Sequence, residues 1–319
     1  MSTLHFGDPA ALSYTTLVHT FPPWTFAKPT RSTVRLLAWW RDHDARLSWL
    51  LDGLKAKATP EARLSFEYSV ASVGRAKPSF TDVMFCQPGL AVGIEAKWTE
   101  GRSETVRRWL ESGKSARFRR EVLGHWLAHV NAFRSSGKVA EADVLDLPYQ
   151  AVHRTASACC TGAGGRAIVL YQRFTGSEDC EVRQRLHDDV GEDLAALAAV
   201  VRPAPRLEFW LLSVPTTCTP AFKKLSAAVE RATASATAIA YACEALSRVL
   251  VLGRNRDDRE GLVEEIARGR PPNDETVDPR EYVEILREAV AARNGWRRIL
   301  ARCAPRQDPR LAAVRLRPR

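Results

Sequence analysis

The sequence predicts an α/β protein with a mixed sheet and a helical C-terminal extension. Three observations predict it. Residues 63–98 hold three short segments rich in β-branched and aromatic residues. Two later apolar runs, Ala167 to Phe174 and Leu207 to Val214, fit buried strands and are separated by a helical stretch. Beyond Pro215 every patterned segment reads as helix.

Taken in order, the first long helix is expected from about Ser32 to Lys57. Leu47, Leu50, Leu51 and Leu54 recur there at helical spacing, and Ser32 or Thr33 can cap its start. Strand character follows at Arg63 to Val70, Phe80 to Cys86 and Leu90 to Trp98. Gln87-Pro88-Gly89 marks a turn between the last two, because Pro fixes φ and Gly tolerates positive φ. Helices are expected near Ser103 to Leu110, Phe118 to Phe133, Pro148 to Cys160 and Glu181 to Val201. Further helices are expected at about Pro220 to Leu252, Arg259 to Ala267 and Pro279 to Cys303, with a ragged basic tail in the last 15 residues. The organisation is an N-terminal segment with the first core helix (1–60), a core (61–216) and a helical region with its tail (217–319).

A chain of 319 residues buries a core without disulfide or metal staples. Its 45% apolar and 26% charged residues exclude global disorder and a fibrous repeat. No apolar run approaches the roughly 20 residues of a spanning helix, and the first 25 residues do not read as a secretory signal, so the expected location is cytoplasmic. Seven cysteines, an odd number without a Cys-x-x-Cys, read as reduced thiols. The net charge of +10 is gathered in blocks: +5 over Gly101 to Ser135 and +7 over Trp296 to Arg319, leaving −2 elsewhere. Such blocks suit a polyanion partner or a solvated basic surface.

The segment from Pro78 to Trp98 carries the chemistry. In a strand, residues i and i+2 share a face. Glu95 and Lys97 therefore point one way, and Val92, Ile94 and Ala96 point into the core. A hairpin centred on Pro88-Gly89 pairs Gln87 with Leu90 and sets Asp82 directly opposite Glu95, with Cβ atoms roughly 4.5–5.5 Å apart. A three-residue loop would instead send the two acids to opposite faces. Opposed carboxylates are destabilising unless neutralised. A Mg²⁺ or Mn²⁺ ion neutralises them, and Lys97 adds a fixed charge beside the same place. Two carboxylates, a hard cation and an ammonium are what phosphodiester hydrolysis needs. An edge hairpin with water-facing charges is the plain alternative.

The order helix, three-strand antiparallel meander, helices and further strands, with Asp82 on the second strand of the meander and Glu95-Ala96-Lys97 on the third, resembles the PD-(D/E)XK nuclease superfamily. GRAKPSFTDVMF, IEAKWTE and LPYQAVHRTASA are similar to a bacterial branch of it. The resemblance covers about Ser32 to Val214 and implies a restriction-endonuclease-like core. It also implies a Mg²⁺-dependent nuclease, acting on double-stranded DNA, with Asp82, Glu95 and Lys97 as catalytic residues. Asp82, Glu95 and the Ala96 backbone carbonyl would hold the metal. The residue before Asp82 is Thr81, where the superfamily often has Pro. Asp42, Asp44, Asp52 and Glu67 are open candidates for an upstream acid; Glu67 would share a strand face with Ser65 and Ser69, away from Phe66, Tyr68 and Val70.

Gln150, His153, Arg154 and Ser157 fall on one helical stripe, which is either solvated or aimed at the site, with Gln150 or Arg154 as auxiliary groups. Arg102, Arg107, Arg108, Arg117, Arg119 and Arg120 are candidates for phosphate-backbone contacts. Trp98 and Trp109 are either base-stacking or buried residues. His125 and His129 have helical zinc-pair spacing but lack a third ligand. Thr161-Gly-Ala-Gly-Gly-Arg166 leads from helix to strand, the reverse of a phosphate loop. The competing functions are a catalytically silent module that binds nucleic acid or a partner, and a helical interaction scaffold. A homodimer or a defence-system partner is compatible with either.

Overall fold

In the computed structural model, residues 2–22, 25, 32–74, 76–98, 100–112, 115–176, 181–216 and 310–313 are described. Strands β1 (Thr3–Phe6) and β2 (Asp8–Leu12) and helices α1 (Tyr14–Thr20), α2 (Ser32–Trp40) and α3 (His43–Gly53) precede the meander β3 (Arg63–Val70), β4 (Ser79–Gln87) and β5 (Leu90–Lys97). Helices α4 (Val106–Glu111), α5 (Ala116–Asn131), α6 (Glu141–Val144) and α7 (Tyr149–Thr161) lead to β6 (Arg166–Gly176). Helix α8 (Glu181–Val201) and strand β7 (Leu207–Thr216) follow, and β8 (Arg310–Ala313) comes from the far C-terminal end.

One eight-stranded sheet runs in the order β2-β1-β3-β4-β5-β6-β7-β8. The meander is antiparallel, and β5, β6 and β7 are mutually parallel. Parallel neighbours require crossovers; α4 to α7 make the first and α8 the second. The architecture is thus α/β with a mixed sheet.

Each sheet face has its own core. Leu17, Leu37, Trp40, Leu47 and Leu50 of α1 to α3 pack with Val83, Phe85, Val92, Ile94 and Ile168. Val122, Trp126, Ala156, Leu194 and Leu197 of α5, α7 and α8 pack with Val169, Tyr171 and Phe209 on the opposite face. In β5 the even residues enter the first core, as the alternation requires, leaving Gly93, Glu95 and Lys97 beneath α7.

The structure corrects four expectations. The helix expected over 32–57 is two helices, broken where Asp42 leaves helical geometry at ψ 54; the break lets α2 and α3 both contribute to the first core. The N-terminal segment supplies two strands to the same sheet, β1 lying parallel to β3. Residues 310–313 of the expected ragged tail form β8, antiparallel to β7. Strand β3 also changes parity. Phe66 enters the first core, whereas Tyr68 and Val70 join the second, so Glu67 is not in simple alternation with Ser65 and Ser69. The cause is φ +47 at Glu67, the left-handed region, which costs a non-glycine residue roughly 1–2 kcal/mol. The helices expected between Pro220 and Cys303 lie outside the described residues.

Candidate functional site

The β4–β5 turn fixes the site. Gln87 pairs with Leu90 and Val83 with Ile94 across a two-residue Pro88-Gly89 loop, with Gly89 at φ +76. The three-residue alternative is excluded; the ladder ends at Val83–Ile94, and its extension brings Asp82 to Glu95, where the Asp82 carboxylate takes the Ala96 N–H. The glycine-rich segment before β6 buttresses this turn. Arg166 N–H donates to the Gly89 carbonyl at 2.9 Å, and a Cβ on Gly165 would lie 2.5 Å from that oxygen, so only glycine fits.

On the other side of Asp82, the pairs Phe66–Val83 and Tyr68–Thr81 flank Glu67, which itself drops out of the ladder at φ +47 and feels the Arg154 and Glu95 charges. Glu67, Asp82 and Glu95 thus come from three neighbouring strands. Of the four upstream acids, Glu67 is the one the fold brings here. Asp42 and Asp44 sit at the start of α3, where Asp44 accepts from the Ser2 backbone at 3.1 Å, and Asp52 is exposed at that helix's end.

Helix α7 closes over the site. Gly93 and Ala158 allow it to approach, since a Cβ on Gly93 would stand 3.3 Å from that of Ala158. Its stripe of Gln150, His153, Arg154 and Ser157 faces the sheet. Glu95 is 3% exposed. Lys97 Nζ donates to Glu95 Oε1 at 3.0 Å and to Gln150 Oε1 at 2.6 Å. The Gln150 amide donates to the same Glu95 oxygen, and Arg154 Nε donates to Glu95 Oε2. Asp82 Oδ2 accepts the Ala96 N–H at 2.7 Å. A strand residue's N–H and C=O emerge on the same side, so the Ala96 carbonyl also faces the Asp82 edge.

Electrostatics separates the acids. Burial, and then the Glu95 charge, push Asp82 up to about 8. Burial also raises Glu95, but Arg154 and Lys97 outweigh it and hold that carboxyl below its ordinary range. Glu67 is raised, first by burial, with Glu95 adding to it and Arg154 opposing it. His153 is pushed down to about 3 by burial and the Arg154 charge and is therefore neutral. Its Nδ1 lies 2.8 Å from Ser79 Oγ, and Ser79 Oγ also accepts from Arg154 Nη1 at 3.0 Å and from Ser157 Oγ at 3.1 Å. Sequence reasoning gave Ser79 no role; no spacing rule links it to a helix some 75 residues away.

Lys97 and Gln150 form part of the wall of a cleft with Glu100, Arg102, Ser103, Tyr171 and Asp193. Glu95 lies behind them. The arginines divide. Arg102 pairs with Asp193, Arg107 with Asp146 and Arg120 with Glu141. Arg119 covers the Trp109 ring and donates to the Trp109 carbonyl. Arg108 and Arg117 are exposed. Neither tryptophan offers a free ring face for stacking: Trp98 is buried beneath Arg35, and Trp109 lies between Arg119 and a parallel Tyr149 at 3.8 Å. The rings of His125 and His129 meet edge to face.

Among the described residues, no group of three or more His, Cys, Asp or Glu side chains stands ready to hold a metal ion, and no helix is long and apolar enough to cross a membrane. Cys86, Cys159 and Cys160 are free thiols; the other four cysteines lie outside the described residues. No curated protein and no solved structure matches the chain significantly. One family model matches residues 15–207, a span that holds every group of the site, and the chain belongs to that family, described as a domain of unknown function (DUF6946).

Proposed function

We propose that this protein is a metal-dependent nuclease that hydrolyses phosphodiester bonds in DNA on a restriction-endonuclease-like core. The observation that carries the reading is the β4–β5 register. Its extension brings the Asp82 carboxylate to the Ala96 N–H, next to Glu95, with Lys97 hydrogen-bonded to both Glu95 and Gln150 at a cleft. The antiparallel meander followed by parallel β6 and β7 supports the core assignment.

The donor set fits a hard divalent cation. Asp82, Glu95 and the Ala96 carbonyl offer oxygen ligands, which Mg²⁺ and Mn²⁺ prefer. The Asp82 carboxyl, raised first by burial and then by the Glu95 charge, is one whose ionised form a cation would stabilise. Bound there, Mg²⁺ would supply Lewis acidity and a water of lowered pKa. The chain's own residues do the rest. Lys97, 14% exposed and turned to the cleft, orients the attacking water or balances charge gathering on the phosphate. The Gln150 carboxamide holds the Lys97 ammonium in place through its oxygen and Glu95 through its nitrogen. Neutral His153 anchors the Ser79 hydroxyl and moves no proton in this scheme. Exposed Arg108 and Arg117 lie on the basic stretch that follows β5 and serve the phosphate backbone.

The test is nicking of supercoiled plasmid by the full chain with Mg²⁺ or Mn²⁺, arrested by EDTA and lost in Lys97→Ala while the protein stays folded. One observation favours a second reading, a silent nucleic-acid- or partner-binding module: both Glu95 oxygens already carry donors. Salt-sensitive DNA binding without cleavage, unchanged in Lys97→Ala, would establish that module instead.

A further inference from the structure

We propose that Arg154 is a built-in counter-ion of Glu95, which a divalent cation must displace from that carboxylate or join there. The affinity for the ion is then set by Arg154. This inference rests on the metal-dependent reading above and assigns Arg154 a positioning role within it.

A carboxylate offers about four lone-pair sites on its two oxygens. Lys97 and Gln150 share Oε1 of Glu95, and Arg154 takes Oε2. The two cations are placed differently. Lys97 reaches the cleft wall and stays beside any substrate. Arg154 is 11% exposed, does not line the cleft, and is clamped from behind. Its Nη1 donates to Ser79 Oγ at 3.0 Å, and that hydroxyl is itself held by Ser157 at 3.1 Å and His153 at 2.8 Å. The clamp fixes a positive charge on the one Glu95 oxygen that Lys97 and Gln150 leave open. The guanidinium thus does the neutralising that an ion between Asp82 and Glu95 would do. Lys97 and Arg154 already set two positive charges on this buried carboxylate, so a divalent ion arriving as a third meets strong repulsion in a low-dielectric site.

The experiment is Mn²⁺ binding to the full chain, read by electron paramagnetic resonance and calorimetry, for wild type, Arg154→Met, Arg154→Lys and Ser79→Ala. Arg154→Met should tighten binding about tenfold or more, because it removes the competing charge. Arg154→Lys keeps the charge and should bind as the wild type does. Ser79→Ala loosens the clamp and should tighten binding by a smaller factor. Unchanged or weaker binding in Arg154→Met overturns the proposal but not the metal-dependent reading, and so does equal tightening in Arg154→Lys. Absence of Mn²⁺ binding in all four proteins overturns both. Should Arg154→Met fail to fold, Ser79→Ala decides alone: tighter binding supports the counter-ion, and unchanged binding sinks it.

Discussion

Asp82 makes the site a source of instability, and the size of that effect follows from the structure. Its carboxyl is moved from the ordinary 3.8 to about 8 by burial and by Glu95. The unfolded chain loses the Asp82 proton near 3.8, whereas the folded chain keeps it until about 8. Below the lower value both states are protonated and Asp82 contributes nothing to the pH dependence. As pH rises between the two values the unfolded state is increasingly favoured, by about 1.4 kcal/mol per pH unit. Above the higher value the penalty is constant. Between pH 5 and pH 8 the loss should reach at most about 4 kcal/mol, less whatever solvent screens at the partly covered side chain. Asp82→Asn keeps an acceptor for the Ala96 N–H and removes the titration. Urea unfolding of both proteins in EDTA at pH 5 and pH 8 measures the difference. The variant should be much the more stable at pH 8, with the gap shrinking toward pH 5. Parallel curves, or a gap that widens in acid, would refute the burial and charge coupling inferred for this carboxyl.

The remaining predictions concern the clamp, the turn and the surface. Glu95→Gln leaves Arg154 buried without its carboxylate, and breaking such a pair should destabilise the protein by about 3–5 kcal/mol in thermal or urea unfolding. The depressed Glu95 carboxyl gives stability that is present above the ordinary carboxylate range and is lost as pH falls through its lowered value, so acid unfolding of the wild type should be steeper than that of Glu95→Gln. Gly165→Ala drives a Cβ into the Gly89 backbone and should cost about 1–3 kcal/mol, with nicking reduced because the turn that registers Asp82 on Glu95 is displaced. Reversing both Arg108 and Arg117 to Glu should weaken DNA binding without altering Tm and should flatten the salt slope by about 2.

Much of the site was legible because its geometry is local. Gln87, Pro88 and Gly89 signal a turn, the turn fixes the register, and the register carries Asp82 toward Glu95; the later Gly165–Arg166 segment only buttresses it. The stripe on α7 was legible as a stripe, since helical spacing is a sequence property. Its direction was not, because a polar face is compatible with solvent as much as with a buried site. What turns it inward is the pairing of small residues, Gly93 against Ala158, and that contact spans two elements with a long connection between them. The arginines after β5 show the converse. Their charge is visible in the sequence, but Asp193, Asp146 and Glu141, which pair with three of them, arrive from later elements. The short outer strands, the two edges and β1 beside one of them, were illegible for a simpler reason. Strands β1, β2 and β8 are four or five residues long, and β8 finds its partner about a hundred residues back.

Glu67 shows where local reasoning had to fail, and what the failure means. Nothing about Glu within RLSFEYSV signals positive φ; a designer would place Gly or Asn there. The strain inverts the parity of β3, so that Tyr68 and Val70 serve the second core after Phe66 has served the first. It also leaves a carboxyl near the site, raised by burial and by Glu95 and opposed by Arg154. Strained backbone survives where the surroundings impose it, and it gathers at functional sites. Glu67→Gly tests which purpose prevails here. Relief of strain alone predicts a protein about 1 kcal/mol more stable with unaltered nicking. If the strain exists to present the third acid, the same substitution should stabilise the fold and still lower nicking and Mn²⁺ affinity together. A variant that is both less stable and fully active would refute the strain argument itself.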